Sequence, residues 1–343
     1  MGRAGSEESV FLNSGSGKNG TPPWAALFCL LLFACAPAPL EEVTETRELL
    51  GTFVTITVLH ENGVAARSAI GSAFDEIARL GRLFHTIGEE SEVARLNREG
   101  RAAAGQELLH LIGEADRFHR LSGGAFDISV QPLLDLYGES FGRRGRPPTA
   151  EEIEGALALV GAERIGISGE TVTLDPGMKI TLGGIAKGYA IDRAIAILAK
   201  RGVTRGLVNA GGDMRALGSR VDRPWNIALR NPRDRADHVA ILPLSGKTVA
   251  TSGDYERFFE PTKKFHHIVD PRTGYSAKSL ISATVVARMA LDADALATAI
   301  FVLGPEAGME MVDGMEGVEA LLITAERKIL KSAGLRTVST PGE

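Results

Sequence analysis

The hydrophobic pattern of the N-terminal half of the chain predicts one strand and three helices. Residues 52–59 alternate polar and apolar side chains, as a half-buried strand does. Residues 64–84 and 103–121 carry apolar side chains at helical spacing. A third helix is predicted to begin after Thr149, whose hydroxyl suits the N-cap, and to end at Gly161.

Short strand patterns dominate the C-terminal half, with helices predicted after Gly188 and from about Leu291, and a hairpin over 320–331. The strand-like segments are 163–182, 205–217, 225–229, 238–251, 266–269 and 281–287. Because strands and helices do not alternate strictly, we predict an α+β fold with a mainly antiparallel sheet and flanking helices. Roughly 300 residues can bury a core as one large domain or as two closely packed lobes.

The N-terminal segment resembles a lipoprotein signal peptide. Residues 24–34 are uncharged and apolar, but a membrane-spanning helix needs about 20 residues. Residues 32–35 (LFAC) are similar to a lipobox, so we expect a signal peptide over 1–34 and a lipid anchor on Cys35. The expected product is an exported lipoprotein, anchored to the membrane on the periplasmic side. An uncleaved signal anchor is the alternative.

The remaining boundaries follow from composition. A Pro/Ala-rich stretch predicts a linker over 35–46, a catalytic domain over 47–335 and a short tail over 336–343. The formal net charge of −5 argues against a nucleic-acid partner. An anionic small molecule would therefore need local cations or backbone amides on this acidic protein.

A glycine-rich segment at 180–192 is the first candidate for such a site. A predicted strand leads into a turn with Gly183 and Gly184, followed by a helix. Glycines let the backbone approach a ligand closely, and free N–H groups at a helix start favour phosphate oxygens. Lys187 would add a positive charge. A tight strand-to-helix turn without a ligand is the alternative. Further glycine turns lie at 209–213 and 251–255.

Asp294 and Thr298 are spaced to share one face of a predicted helix. A carboxylate and a hydroxyl one turn apart offer hard oxygen ligands suited to Mg²⁺. Alternatively, Asp294 caps the helix start and Thr298 bonds back to a backbone carbonyl.

Two further residues are candidates for proton transfer. His267 follows His266 at the end of a predicted strand, and no zinc-ligand spacing accompanies the pair. A buried, hydrogen-bonded histidine is the alternative interpretation. Asp254 lies in the turn at 251–255, which holds more hydroxyl and carboxylate groups than a turn requires.

Taken together and in order, several segments resemble the ApbE family, the FAD:protein FMN transferases. The matching segments run across nearly the whole chain after the N-terminal segment and are 50–52, 91–97, 124–128, 182–190, 209–213, 252–255, 267–274 and 294–298. The resemblance implies an ApbE-type, T-fold-like domain.

The resemblance also implies site residues. A Mg²⁺ site would be built from the Gly184 carbonyl, the Asp294 carboxylate and the Thr298 hydroxyl. Contacts with FAD are implied at Leu50, Ala125, Phe126, Asp127, Thr181, Lys187 and Ile268. Two positions depart from the family pattern: Thr181 stands where many members have Asp, and Ile87 stands where members often have an aromatic residue.

The implied reaction is Mg²⁺-dependent transfer of the FMN half of FAD to a Thr or Ser hydroxyl of an acceptor protein, with release of AMP. His267 is the first candidate for the base and Asp254 the second. The acceptor would be an exported or membrane-bound redox protein with a short threonine-containing motif. Two alternatives remain: hydrolysis of FAD to FMN and AMP, and a non-catalytic FAD-binding lipoprotein.

Overall fold

The computed structural model describes residues 39–234 and 236–338, and thirteen strands lie within them. In chain order the strands are β1 (Glu41–Leu49), β2 (Thr52–His60), β3 (Arg101–Ala103), β4 (Gly166–Ser168), β5 (Thr171–Thr173), β6 (Arg205–Ala210), β7 (Asp213–Leu217), β8 (Trp225–Arg230), β9 (His238–Leu244), β10 (Thr248–Gly253), β11 (Leu280–Ala287), β12 (Glu319–Thr324) and β13 (Ile329–Lys331). Eight of them form one antiparallel sheet in the order β1-β2-β6-β7-β10-β11-β12-β13.

Two small antiparallel sheets complete the strand structure, one with the order β3-β5-β4 and the other a β8–β9 hairpin. The α-helices of the described ranges are α1 (Gly63–Phe84), α2 (Glu92–Glu99), α3 (Gln106–Leu121), α4 (Gln131–Arg144), α5 (Ala150–Leu157), α6 (Ala186–Lys200), α7 (Ala290–Leu303) and α8 (Pro305–Asp313). None of the helices in these ranges combines the length and the apolar character that a bilayer span requires.

Helices α1, α6 and α7 pack on one face of the large sheet, and the β8–β9 hairpin covers part of the other. The alternation in β2 explains its place in this arrangement. Val54, Ile56 and Val58 are fully buried in a cluster with α1 and α6, whereas Thr55 and Thr57 face the opposite side of the sheet. The α+β prediction is confirmed, and the described residues from Leu40 onward form one compact unit.

Helix α7 is unusual because it is buried on nearly all sides. Such a helix can place polar side chains only where they meet a partner or a ligand, since an unpaired buried carboxylate is costly. Asp294 and Thr298 therefore require a specific environment, and the large sheet and α6 supply it.

Some boundaries differ from the sequence predictions. Strand β1 begins at Glu41, inside the stretch predicted as a linker over 35–46, and pairs along its whole length with β2. Helix α5 ends at Leu157, four residues before the predicted end at Gly161, although Thr149 caps it as predicted.

The segment 163–182 also contains less strand than its pattern suggested, because only β4 and β5 form there. Within the predicted tail, Val338 donates its N–H to the Ile241 carbonyl at 2.9 Å, so that part is tied to β9. The predicted signal peptide over 1–34 and the lipid anchor on Cys35 lie outside the described residues.

Candidate active site

A cavity of about 470 Å³ opens at one end of the large sheet, where the β1–β2 turn and the ends of β6 and β10 meet the start of α6. All of the predicted site residues except Asp254 line it, namely Leu50, Ala125, Phe126, Asp127, Thr181, Gly184, Lys187, His267, Ile268, Asp294 and Thr298. Residues that are up to 248 positions apart in the chain, from Leu50 to Thr298, therefore meet at one place.

The β1–β2 turn at the cavity wall has a strained backbone. Leu50 and Gly51 both have positive φ, at 56° and 69°, as a two-residue hairpin turn requires. Leucine rarely adopts this conformation, which costs about 1–2 kcal/mol. Strain of this kind is found at ligand sites, where the surrounding structure holds it in place.

The turn at 181–184 is stabilised by side-chain hydrogen bonds from Asn97 and Thr181. The Asn97 side chain donates to the Ile180 carbonyl at 2.8 Å and accepts the Ile180 N–H at 2.7 Å. The Thr181 hydroxyl accepts the Gly183 N–H at 3.2 Å. An Asp in place of Thr181 makes the same type of turn, so this departure from the family pattern preserves the local backbone geometry.

The three predicted metal ligands are brought together. A Cβ atom built at Gly184 would lie 3.2 Å from the Thr298 Oγ1 atom, so the turn and α7 are in contact. The Asp294 Oδ2 atom accepts the Gly188 N–H at 2.9 Å, and Ser252 Oγ lies 3.2 Å from Thr298 Oγ1. No hydrogen bond from the described residues engages the Asp294 Oδ1 atom.

A carbonyl, a buried carboxylate with one uncommitted oxygen and a hydroxyl form a hard oxygen donor set that fits Mg²⁺. Asp294 acts as a helix cap, as the alternative interpretation held, but it caps α6 rather than its own helix. Because the cap uses only one oxygen, capping and metal binding are compatible.

Helices α6 and α7 cap each other, which fixes the position of Asp294. Asp192 of α6 accepts the N–H groups of Ala290 at 2.8 Å and Leu291 at 3.0 Å at the start of α7. Asp294 of α7 in turn caps the start of α6 through Gly188. Each carboxylate satisfies N–H groups that a helix start leaves unpaired.

Lys187 does not stand free in the cavity. Its Nζ atom lies 2.7 Å from Asp213 Oδ2, and Asp213 also accepts the Thr251 N–H at 2.9 Å. Burial alone would lower the pKa of Lys187, but the charges of Asp213 and Asp294 raise it, so the side chain is protonated at neutral pH. Sequence reasoning singled out the turn at 209–213 but did not nominate Asp213.

His267 is a neutral imidazole with one ring nitrogen free. Its Nδ1 atom lies 2.9 Å from the Arg257 carbonyl, which can only accept, so Nδ1 carries the hydrogen and Nε2 keeps its lone pair. Burial lowers the pKa of His267 to about 4, and the positive charge of Arg257 adds to this effect. The imidazole is therefore neutral and able to accept a proton.

Asp254, the second candidate for the base, is placed differently. Arg233 binds both of its oxygens, at 2.9 Å to Oδ1 and 2.6 Å to Oδ2. Asp254 is buried and is absent from the cavity wall formed by the described residues. Its carboxylate is paired with Arg233 next to the end of β10, outside the described cavity wall.

Asp127 lines the cavity, but its carboxylate is engaged in the fold. It accepts the Ser129 N–H at 2.7 Å, the Ser129 hydroxyl at 2.6 Å and the Ala162 N–H at 3.0 Å. His119 and Glu163 lie close by in a separate cluster with Asp127. The side chain of Asp127 thus shapes the wall beside Phe126 and has little capacity left for a ligand.

Ile87, the other departure from the family pattern, lies outside this cavity. It is 76% exposed and lines a shallower depression with Leu50 and Gly51 at its edge. A stacking contact from this position is absent because the aliphatic side chain presents no ring.

Comparison with known proteins connects the chain with one family. The sequence profile of the ApbE family matches residues 50–322. A FAD:protein FMN transferase of Vibrio cholerae is 33% identical over 300 residues, which cover 84% of this chain and 89% of the relative. Another FAD:protein FMN transferase, from Klebsiella pneumoniae, is 36% identical over 200 residues, which cover 57% of this chain and 62% of that protein.

Solved structures show the same similarity in three dimensions. The ApbE protein of Thermotoga maritima aligns with a TM-score of 0.80 at 34% identity, covering 85% of this chain and 97% of that protein. The flavin transferase ApbE of Vibrio cholerae aligns with a TM-score of 0.75 at 30% identity, covering 86% of this chain and 98% of that protein.

Proposed function

The chain belongs to the ApbE family, and from this membership we propose that it transfers the FMN half of FAD to a hydroxyl group of another protein. The observation that carries the proposal is the meeting of three elements at one cavity. The turn at 181–184, the Asp294 and Thr298 side chains of α7, and the neutral His267 all line it. Phosphoryl transfer needs this combination of phosphate binding, cation ligands and a base.

In the proposed reaction, the hydroxyl oxygen of an acceptor Thr or Ser attacks the phosphorus of the FMN half. The bond between this phosphorus and the bridging oxygen breaks, and AMP leaves with the bridging oxygen. His267 Nε2 takes the proton of the attacking hydroxyl, since its lone pair is free. Backbone N–H groups at the start of α6 favour the phosphate oxygens.

The charges at the cavity support a requirement for Mg²⁺. Lys187 is balanced by Asp213, so its charge is not available to neutralise a phosphate. Burial, with the charge of Asp213, raises the pKa of Asp294 to about 7, and a bound divalent cation would favour its ionised form. A pyrophosphate would therefore find no uncompensated positive charge from Lys187, and a divalent cation bound to Asp294, Thr298 and the Gly184 carbonyl would supply it. When bound there, Mg²⁺ supplies positive charge that offsets the charge on the phosphates and on the leaving AMP.

The partner and location are part of the same proposal. The acceptor is an exported redox protein that presents a Thr or Ser in a short exposed segment. A lipid on Cys35 holds the enzyme at the periplasmic side of a membrane. The anchor is tested by labelling with a radioactive fatty acid, with Cys35→Ala as the control. A wild-type protein that carries no label would contradict the proposed lipid on Cys35.

The function is tested by incubating the purified protein with FAD, Mg²⁺ and a panel of candidate acceptor domains. A covalently yellow acceptor and an equal amount of AMP are expected. Free FMN with AMP and no labelled acceptor would instead show a FAD hydrolase. Intact FAD with every acceptor, despite Mg²⁺-dependent binding, would indicate a protein that binds FAD without reaction.

The role of His267 is tested in the same assay with His267→Ala. Loss of the base should lower the flavinylation rate by about 10²–10⁴-fold, while FAD binding stays measurable. His60→Ala serves as the matched control, because His60 lies at the far end of β2, away from the cavity. Full activity of His267→Ala would exclude His267 as the base.

A further inference from the structure

Lys187 lies next to two buried carboxylates, Asp213 and Asp294. Lys187 directly precedes Gly188, whose N–H binds Asp294 Oδ2 at 2.9 Å. A flexible ammonium group so close to a buried carboxylate would ordinarily pair with it. Instead, the ion pair of Lys187 within the described residues is with Asp213, at 2.7 Å.

Asp213 is built to hold this ammonium group. Its side chain is 4% exposed, and its second oxygen is fixed by the Thr251 N–H at 2.9 Å. Asp213 does not line the cavity among the described residues, so it reaches the site only through Lys187. A fixed, desolvated carboxylate competes strongly for a nearby ammonium group because neither charge has much water around it.

We propose that Asp213 is a positioning residue that holds the Lys187 ammonium group away from Asp294 and thereby leaves the Asp294 Oδ1 atom free for a divalent cation. This inference rests on the proposed function, since it concerns the same cation site. Its physical basis is competition: Lys187 and a divalent cation are alternative partners for one carboxylate. Asp213 decides the competition in favour of the cation.

The proposal predicts a reversal of sign in a double-mutant cycle. Asp213→Asn should free Lys187 to pair with Asp294, so the Mg²⁺ concentration needed for half-maximal FAD binding should rise about tenfold or more. Adding Lys187→Met to this variant removes the competitor and should restore the Mg²⁺ requirement to within about threefold of the wild type. Because Lys187 lines the FAD cavity, Lys187→Met is expected to lower FAD affinity, but the Mg²⁺ concentration needed for half-maximal binding should not rise.

The measurement is quenching of FAD fluorescence during titration with MgCl₂, which needs no acceptor and no turnover. Asp135→Asn with Lys179→Met is the matched control, because that pair has the same chemistry at 2.8 Å but is about half exposed and lies outside the cavity wall. Its cycle should leave the Mg²⁺ dependence unchanged. Asp213→Glu keeps the negative charge and provides a second comparison if Asp213→Asn fails to fold. It should reach half-maximal FAD binding at a lower Mg²⁺ concentration than a neutral variant that folds.

Two results would overturn the inference. An unchanged Mg²⁺ dependence in Asp213→Asn would show that Asp213 has no such role. A double variant that needs as much Mg²⁺ as Asp213→Asn would show that Lys187 is not the competitor for Asp294. Failure of the wild type itself to bind FAD with Mg²⁺ would contradict the proposed function instead, so the two failures are distinguishable.

Discussion

Replacing Gly188 with alanine tests whether the contact between α6 and α7 positions the cation carboxylate. A Cβ atom at this position would lie 2.2 Å from the Ala290 carbonyl oxygen and 2.9 Å from Asp294 Cβ. Both neighbours belong to the rigid start of α7, so the helices must separate by about 1 Å to reach ordinary contact distance. The hydrogen bond from the Gly188 N–H to Asp294 Oδ2 would then be stretched or lost.

The magnitude follows from three effects. Overpacking against a backbone atom costs about 3 kcal/mol, at the upper end of its usual range. Loss of a hydrogen bond to a charged group costs about 1.5 kcal/mol. Alanine regains about 1 kcal/mol of helix propensity relative to glycine. We therefore expect Gly188→Ala to lower the free energy of unfolding by about 3.5 kcal/mol.

Urea denaturation measures this change, and Gly113→Ala is the matched control. Gly113 lies within α3, and a Cβ atom there meets nothing within 4 Å, so this variant should gain about 0.5–1 kcal/mol. In Gly188→Ala, displaced Asp294 should also weaken Mg²⁺-dependent FAD binding. Equal stability of the two variants would refute the reasoning, since it would mean that the helices separate without cost.

Three further predictions address the base, the turn and the core. Because burial lowers the pKa of His267 to about 4, the neutral base is retained down to that pH. At saturating Mg²⁺ the acid limb of kcat/KM for FAD should therefore lie near pH 4, and a limb near 6.5 would contradict the assignment. The same shift affects stability. As the pH is lowered from about 6.5 to about 4, the free energy of unfolding should fall, because His267 binds a proton more tightly in the unfolded chain than in the folded protein. Asn97→Ala removes both hydrogen bonds to Ile180. It should lower the free energy of unfolding, measured by urea denaturation, by about 2–3 kcal/mol and weaken FAD binding. A loss below about 0.5 kcal/mol would show that the turn does not depend on these hydrogen bonds. Thr248 is fully buried and its hydroxyl has no partner among the described residues, so Thr248→Val should raise the unfolding free energy by about 1 kcal/mol, and destabilisation would imply a hidden partner.

The sequence by itself predicted several of the elements but not β1, α2 or α4. The family resemblance supplied most of the cavity wall. Alternation in β2 and helical spacing in α1 are local patterns that burial preserves, so they predicted the structure directly. The spacing of Asp294 and Thr298 placed both on one face of α7 for the same reason. Local turn chemistry likewise predicted the cap at Thr149.

Only the tertiary structure decided how the charges are partnered. Asp254 and Asp213 lie in similar glycine turns, yet one is bound by Arg233 and the other by Lys187. Sequence patterns record which side chains are acidic but not which distant cation will lie within 3 Å of each. Because ion pairing and burial depend on residues far apart in the chain, the roles of these carboxylates follow from the packing of α6, α7 and the sheet end.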